Sequence, residues 1–200
     1  MQNSDPSFRP PSLIIAAPAS GSGKTVLTLA LLRYFRNDGS TVGSFKVGPD
    51  YIDPAFHSAA GGRICRNIDG WAMRRETRGR ALESAGKGCD LVIGEGVMGL
   101  FDGAPDGTGS TADLAAEMGL PVVLVVDVKG QAASAAAVIE GFARHRDDLQ
   151  VAGVIFNRVG GAGHRLTLAA ACNGLGIPLL GFVPRDERLA LPERHLGLVQ

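Results

Sequence analysis

Pro18-Ala19-Ser20-Gly21-Ser22-Gly23-Lys24-Thr25 is the stretch on which the fold turns. It lies between an apolar run, Leu13 to Ala17, and a segment ending at Arg36 in which Leu27, Leu31, Leu32 and Phe35 recur at helical spacing. Strand, glycine-rich loop and helix in that order read as a phosphate-binding loop. The backbone N–H groups of Gly21, Ser22, Gly23, Lys24 and Thr25 would wrap a phosphate, the Lys24 ammonium would neutralise terminal oxygens, and the Thr25 hydroxyl would bind Mg²⁺. The helix amino terminus adds a partial positive charge. One position departs from GxxxxGK[ST]: the first glycine is Pro18, which lacks an N–H. The plain alternative is a Gly/Ser turn that only starts a helix.

Outward from this loop the pattern repeats. Apolar runs at Thr41 to Val47, Asp90 to Gly94, Val122 to Asp127, Val151 to Asn157 and Leu179 to Val183 are continuous rather than alternating, as expected of strands covered on both faces. Helical patterns lie between them at Trp71 to Ala85, Thr111 to Met118, Ala132 to Arg146 and Gly163 to Leu175. The alternation predicts an α/β P-loop NTPase, a mainly parallel open sheet with helices on both faces. In such sheets ligands sit beyond the carboxyl ends of the strands, so the segments just after each strand are the places to search.

Lys46-Val47-Gly48-Pro49-Asp50-Tyr51-Ile52-Asp53-Pro54 follows the second run. Asp50 and Asp53 are hard oxygen donors for Mg²⁺, and Lys46 could neutralise a phosphoryl group or a substrate carboxylate. The bland reading is a Pro-Asp turn with solvated charges. The third run ends at Glu95 and continues as Gly96-Val97-Met98-Gly99-Leu100-Phe101-Asp102-Gly103. A carboxylate there belongs on the metal side of a P-loop site, although glutamate could instead orient a nucleophile. Asp102 is either a substrate contact or a turn residue. Asn157, ending a late strand, offers the donor and acceptor needed to read an adenine edge, or it forms a turn. Asp127 is either a ligand-side carboxylate or a cap.

Composition narrows the function classes. The 20 Lys plus Arg balance the 20 Asp plus Glu, so the basic surplus of a general nucleic-acid or anionic-membrane binder is missing. The longest apolar run, Leu120 to Val126, is far short of a membrane span. Three cysteines, Cys65, Cys89 and Cys172, show no CxxC spacing and fit reduced thiols in a cytoplasmic protein. The four histidines form no HxxxH or HExxH pair, which removes a zinc site from consideration. The 11 residues at the start read as a flexible tail, and residues 12–200 as one ATP-binding domain.

Taken together, the GSGKT loop, KVGPDYIDP at Lys46 to Pro54, CRNID at Cys65 to Asp69, EGVMGLFDG at Glu95 to Gly103, Gly109-Ser110-Thr111-Ala112, Asn157-Arg158-Val159 and Leu196-Gly197-Leu198 resemble the synthetase domain of the cobyrinic acid a,c-diamide synthase family, hydrogenobyrinic acid enzymes included. The resemblance implies a dethiobiotin-synthetase-like fold and ATP- and Mg²⁺-dependent amidation of the a and c carboxylates of a corrinoid through acyl phosphates, in cobalamin biosynthesis. It implies catalytic roles for Lys24, Lys46, Asp50 and Glu95, metal binding by Thr25, Asp50 and Glu95, adenine contact by Asn157, and a substrate side formed by Tyr51, Asp53, Asp102 and Ser110. Lys46, Arg63, Arg66, Arg74, Arg75 and Arg78 are available to a polycarboxylate ring. The family also carries a glutaminase domain that releases ammonia. None of the three cysteines has the context of its nucleophile, so the chain reads as a synthetase domain that takes ammonia from a glutaminase elsewhere. A homodimer stays open. Two readings compete: a dethiobiotin-synthetase-like carboxylate- or carbamate-activating enzyme, and a partition-type ATPase switch, which commonly has a lysine where this chain has Ala19.

Overall fold

The computed structural model describes residues 10–189. Seven strands, β1 (Ser12–Ala16), β2 (Val42–Val47), β3 (Arg66–Ile68), β4 (Leu91–Glu95), β5 (Val122–Asp127), β6 (Val151–Val159) and β7 (Leu179–Pro184), form one sheet in the order β3-β2-β4-β1-β5-β6-β7. Every pairing is parallel. Six helices connect them: α1 (Lys24–Asn37), α2 (Asp53–Gly61), α3 (Arg75–Gly86), α4 (Thr111–Met118), α5 (Ser134–Arg144) and α6 (Ala162–Ala171). The mainly parallel α/β sheet expected from the sequence is the fold observed.

The continuous apolar runs have a direct cause. In β1, Ile14 and Ala16 join one hydrophobic cluster while Ile15, with Ala17 just past the strand, joins another on the opposite face; in β5, Val122, Leu124 and Val126 divide from Val123 and Val125 in the same way. Helices α1 and α2 bring Leu32 and Ala60 to one cluster. The others bring Leu82, Leu114, Ile139 and Leu168 to its counterpart across the sheet. With both faces covered, neither side of a central strand can be polar. Close packing also excludes side chains: a Cβ on Gly94 would lie 2.2 Å from Phe45 Cζ.

Three differences from the sequence reading matter for function. Helix α2 stands where a turn was expected; Pro54 near its start is tolerated because the first helical N–H groups have no intrahelical partner. Helix α3 begins at Arg75, so Trp71 sits in the turn before it. A further short strand, β3, adds to those read from the sequence, with Cys65 just ahead of it. The start of the tail, residues 1–9, and the Leu196-Gly197-Leu198 signature lie outside the described residues.

Candidate active site

Central β1 delivers the loop Pro18 to Gly23 into the amino terminus of α1; its neighbour β4 delivers Glu95, and β2, the next strand out, delivers Lys46 beside it. Two cavities open at this end of the sheet. One, about 990 Å³, is lined by residues that include Asp50, Tyr51, Asp53, Asp69, Trp71 and Asp102. The other, about 810 Å³, is lined by residues that include Gly23, Lys24, Asn157, Arg158, Arg185 and Asp186. Gly21 and Thr25 belong to both walls, so the loop crest is the partition between them.

Loop conformation follows from its residues. Gly23 has φ 95°, and a Cβ there would lie 2.1 Å from Asn157 Nδ2, so both backbone angle and space call for glycine. Asn157 Nδ2 donates to the Ser22 carbonyl at 2.8 Å, and its Oδ1 accepts from the Arg158 N–H at 2.9 Å. The amide therefore braces the loop, with one hydrogen and one lone pair left for a base edge. The Ser22 hydroxyl donates to the Ala19 carbonyl at 2.8 Å, within the loop itself.

The Lys24 ammonium donates to the carbonyls of Met98 and Ala19. Met98 has φ 50°, an uncommon angle for a side-chain-bearing residue, and it turns its carbonyl to this lysine. Burial, and after it the nearby Lys46 ammonium, hold Lys24 below the usual lysine pKa, with Glu95, Asp102 and Asp53 opposing. Neutral carbonyls are weaker partners for an ammonium than phosphate oxygens, because charge-assisted hydrogen bonds are roughly twice as strong as neutral ones.

Beneath the loop lies a buried ionic cluster. Lys46 Nζ donates to Asp53 Oδ2 at 2.8 Å, Glu95 Oε1 at 2.7 Å and the Gly96 carbonyl at 3.3 Å, which uses all three of its protons. Asp50 Oδ2 stands 3.8 Å away. Burial alone would lower the Lys46 pKa, but Glu95 and Asp53 outweigh it and hold it above the usual value. Glu95 is fully buried; desolvation opposes its ionisation, yet His57 and Lys46 keep its pKa below the usual carboxylate value.

His57 is the residue that sequence reasoning missed. Its Nε2 lies 2.7 Å from Glu95 Oε2 and its Nδ1 lies 3.5 Å from Cys65 Sγ, all three side chains being buried. Burial disfavours the imidazolium, but the bonds to Cys65 and Glu95 and the Glu95 charge raise the pKa to about 9. A cysteine–histidine–carboxylate chain has the order of a nucleophilic triad. Here the thiol faces neither cavity, so the chain props Glu95 from behind.

A hard cation fits the oxygen set. Thr25 Oγ1 is 2.6 Å from Glu95 Oε1 and 3.4 Å from Asp53 Oδ2. Adjacent oxygens around octahedral Mg²⁺ are about 2.9 Å apart, given metal–oxygen bonds near 2.05 Å, and the two spacings bracket that value. Among the described residues no group of three His, Cys, Asp or Glu forms a metal cage. Magnesium does not need one, since it keeps waters and takes phosphate oxygens.

Several expected residues have other employment. Lys46 and Glu95 line neither cavity and reach the site through Asp53 and Thr25. Asp50 Oδ1 accepts from the N–H groups of Ile52 and Asp53, fixing the start of α2, while its wall position on the larger cavity is kept. Asp102 Oδ2 accepts from the Gly99 N–H at 2.8 Å and also lines that cavity. Ser110, expected on the substrate side, is buried, and its hydroxyl caps α4 by accepting from the Asp113 N–H; Thr108 and Gly109, just before it, line the cavity. The anticipated arginines stand elsewhere: Arg78 is bound to Glu117 and Arg63 to the Lys87 carbonyl, and none of the five lines the larger cavity. Asp127 pairs with Arg158 and accepts from the Lys129 N–H, ahead of the helix that starts at Ser134.

Against known proteins, the model of the CobQ/CobB/MinD/ParA nucleotide binding domain matches residues 13–199. The hydrogenobyrinate a,c-diamide synthase of Rhizobium meliloti (strain 1021) is 54% identical over 188 residues, covering 94% of this chain and 44% of that protein. That of Rhodobacter capsulatus is 55% identical over 195 residues, covering 96% and 45%. The chain thus spans less than half the length of these curated relatives. Among solved structures, hydrogenase maturation factor HypB from Archaeoglobus fulgidus has a TM-score of 0.57 at 16% identity, covering 86% of this chain and 80% of that one. Chloroplast FtsY from Physcomitrella patens has 0.60 at 18%, covering 92% and 64%. These two share the fold.

Proposed function

The chain belongs to the CobQ/CobB/MinD/ParA nucleotide-binding domain family, and from that premise we propose that it is the ATP-dependent amide-forming part of a hydrogenobyrinate a,c-diamide synthase. The observation that carries the reading is the meeting of Thr25, Asp53 and Glu95, from three distant segments, around the buried Lys46 at the foot of the P-loop. Relatives with that printed activity match along 94% of the chain.

On this reading ATP lies in the smaller cavity, its terminal phosphates on the backbone N–H groups from Gly21 to Thr25, and the macrocycle lies in the larger. Mg²⁺, when bound, supplies charge neutralisation on the phosphate oxygens. Thr25, with Asp53, Asp50 and Glu95 around it, would hold the ion. Lys24 leaves the Met98 carbonyl for the phosphate and neutralises charge as the bond to ADP breaks. A ring carboxylate oxygen attacks the γ-phosphorus across the loop crest, ADP leaves, and an acyl phosphate results. Ammonia then adds to the acyl carbon, phosphate departs, and the nitrogen loses a proton to leave the amide. Lys46 and His57 touch neither reactant in this scheme; they fix Asp53 and Glu95 in position. The ammonia is supplied by a glutaminase, for which the additional length of the relatives has room.

The test uses the 200-residue chain with Mg²⁺, ATP, hydrogenobyrinic acid and an ammonium salt. Phosphate release and amide formation should both depend on the macrocycle, and Lys24→Ala should abolish both. Steady ATP hydrolysis with no macrocycle present would instead favour the ATPase-switch reading.

A further inference from the structure

The larger cavity poses an electrostatic difficulty. Asp50, Asp53, Asp69 and Asp102 line it, and among the described residues no lysine or arginine does. A polycarboxylate gains ion pairs only at the P-loop end, where Lys24 and a bound cation lie, so the rest of the molecule has to be gripped by something other than charge.

Three large apolar side chains on the same wall are open to solvent: Tyr51 at 93% exposure, Trp71 at 73% and Met98 at 46%. Trp71 is the most deliberately placed of them. Asp69 Oδ1 accepts from the Trp71 N–H at 2.8 Å and from the Ala72 N–H at 3.1 Å. Arg78, itself paired with Glu117, donates to the carbonyls of Gly70 and Met73 on either side. Behind the turn, Gly70 and Gly109 meet closely, and a Cβ on Gly109 would lie 3.3 Å from that of Trp71. The backbone is thus fixed from both ends while the indole at its tip packs on little.

We propose that Trp71 is a stacking platform for the conjugated face of a tetrapyrrole carboxylate, with Tyr51 as a second ring on the same wall. The inference rests on the amide-forming reading and adds the means of substrate recognition. An indole binds an extended π-surface without regard to peripheral charge. The aspartates turn the remaining carboxylates outward, so a peripheral carboxylate near Thr25 is the one presented to phosphate. Stacking tolerates rotation of the ring in its own plane, which suits a site that must act on two carboxylates of one macrocycle in turn.

The sequence contains a single tryptophan, so indole emission from this chain reports on Trp71 alone. Hydrogenobyrinic acid added with Mg²⁺ and a non-hydrolysable ATP analogue should quench that emission saturably. Equilibrium dialysis of the same macrocycle should give a dissociation constant roughly 10- to 100-fold weaker for Trp71→Ala, with Trp71→Phe between the two, the range expected of aromatic stacking. Thermal stabilisation by Mg²⁺ and the analogue should be equal in all three, which verifies folding. Unchanged macrocycle affinity in Trp71→Ala overturns the platform and leaves the amide-forming reading standing. Absence of macrocycle binding to the unaltered chain, with nucleotide still bound, overturns both. Sedimentation that shifts from dimer to monomer in Trp71→Ala, with macrocycle affinity intact, overturns the platform in favour of a second copy of the chain.

Discussion

Glu95 is the anion on which two buried cations depend. Removing one partner of a buried ion pair leaves the other charge unpaired, at a cost of about 3 kcal/mol or more, so Glu95→Gln should lower the urea midpoint sharply. The double variant His57→Gln/Glu95→Gln should be less destabilised than the sum of the two single changes, because two neutral amides can hydrogen-bond; strict additivity would mean that the two side chains do not communicate. His57 also sets a pH dependence. Its folded pKa, about 9, exceeds the ordinary 6.5. Stabilisation is therefore complete below pH 6.5 and is lost as pH rises toward 9, with a slope of about 1 kcal/mol per pH unit in the middle of that window. Urea titrations of His57→Gln should show the slope flattened between these limits, and parallel curves for the two proteins would contradict the assignment. None of this was legible in the sequence. A histidine four residues past Asp53 carries no motif, and its partner Glu95 is 38 positions away.

At the scale of the element, α4 isolates a structural role from a chemical one. Ser110 and Asp113 form a reciprocal cap, and Arg146 holds the Asp113 carboxylate from the other side. Ser110→Ala should cost about 1 kcal/mol and lower Tm by about 2–4 °C, with phosphate release changed less than about twofold on the cap-only role derived above; a loss of turnover at unchanged stability would return Ser110 to the substrate side. Desolvation works against the Asp113 carboxylate, but Arg146 and Ser110 bring its pKa below the ordinary value. Its stabilisation is present above that ordinary value and disappears as pH falls through the lowered one. Elements with a clear apolar pattern were readable: the Thr111–Met118 helix and the Val122–Asp127 strand have the predicted limits. Helix α2 was not, since its nine residues hold one large apolar side chain, Phe56, among alanines, and its start looks like a turn. That omission hid both His57 and the reason Asp53 faces Thr25. The arginines misled in the other direction: their sequence clustering gives no hint that Glu117, 39 residues on, takes up Arg78.

Across the whole molecule, the P-loop is held from the far half of the chain. Asn157, near the end of β6, reaches Ser22 over 135 residues of sequence. Asn157→Ala should leave the sheet intact and weaken nucleotide binding by about tenfold, the effect of losing roughly one well-made hydrogen bond; calorimetric titration with the ATP analogue checks it, and an unaltered affinity would free the loop from this brace. The strand order has a consequence for how the protein is made. Its opening strand, β1, occupies the middle of the sheet, and its first neighbour to emerge, β4, follows about 80 residues later. At translation rates of about 5–20 residues per second, β1 waits on the order of ten seconds beside a ribosome with both of its edges bare. Newborn chains should therefore call on holding chaperones until Glu95 has left the exit tunnel.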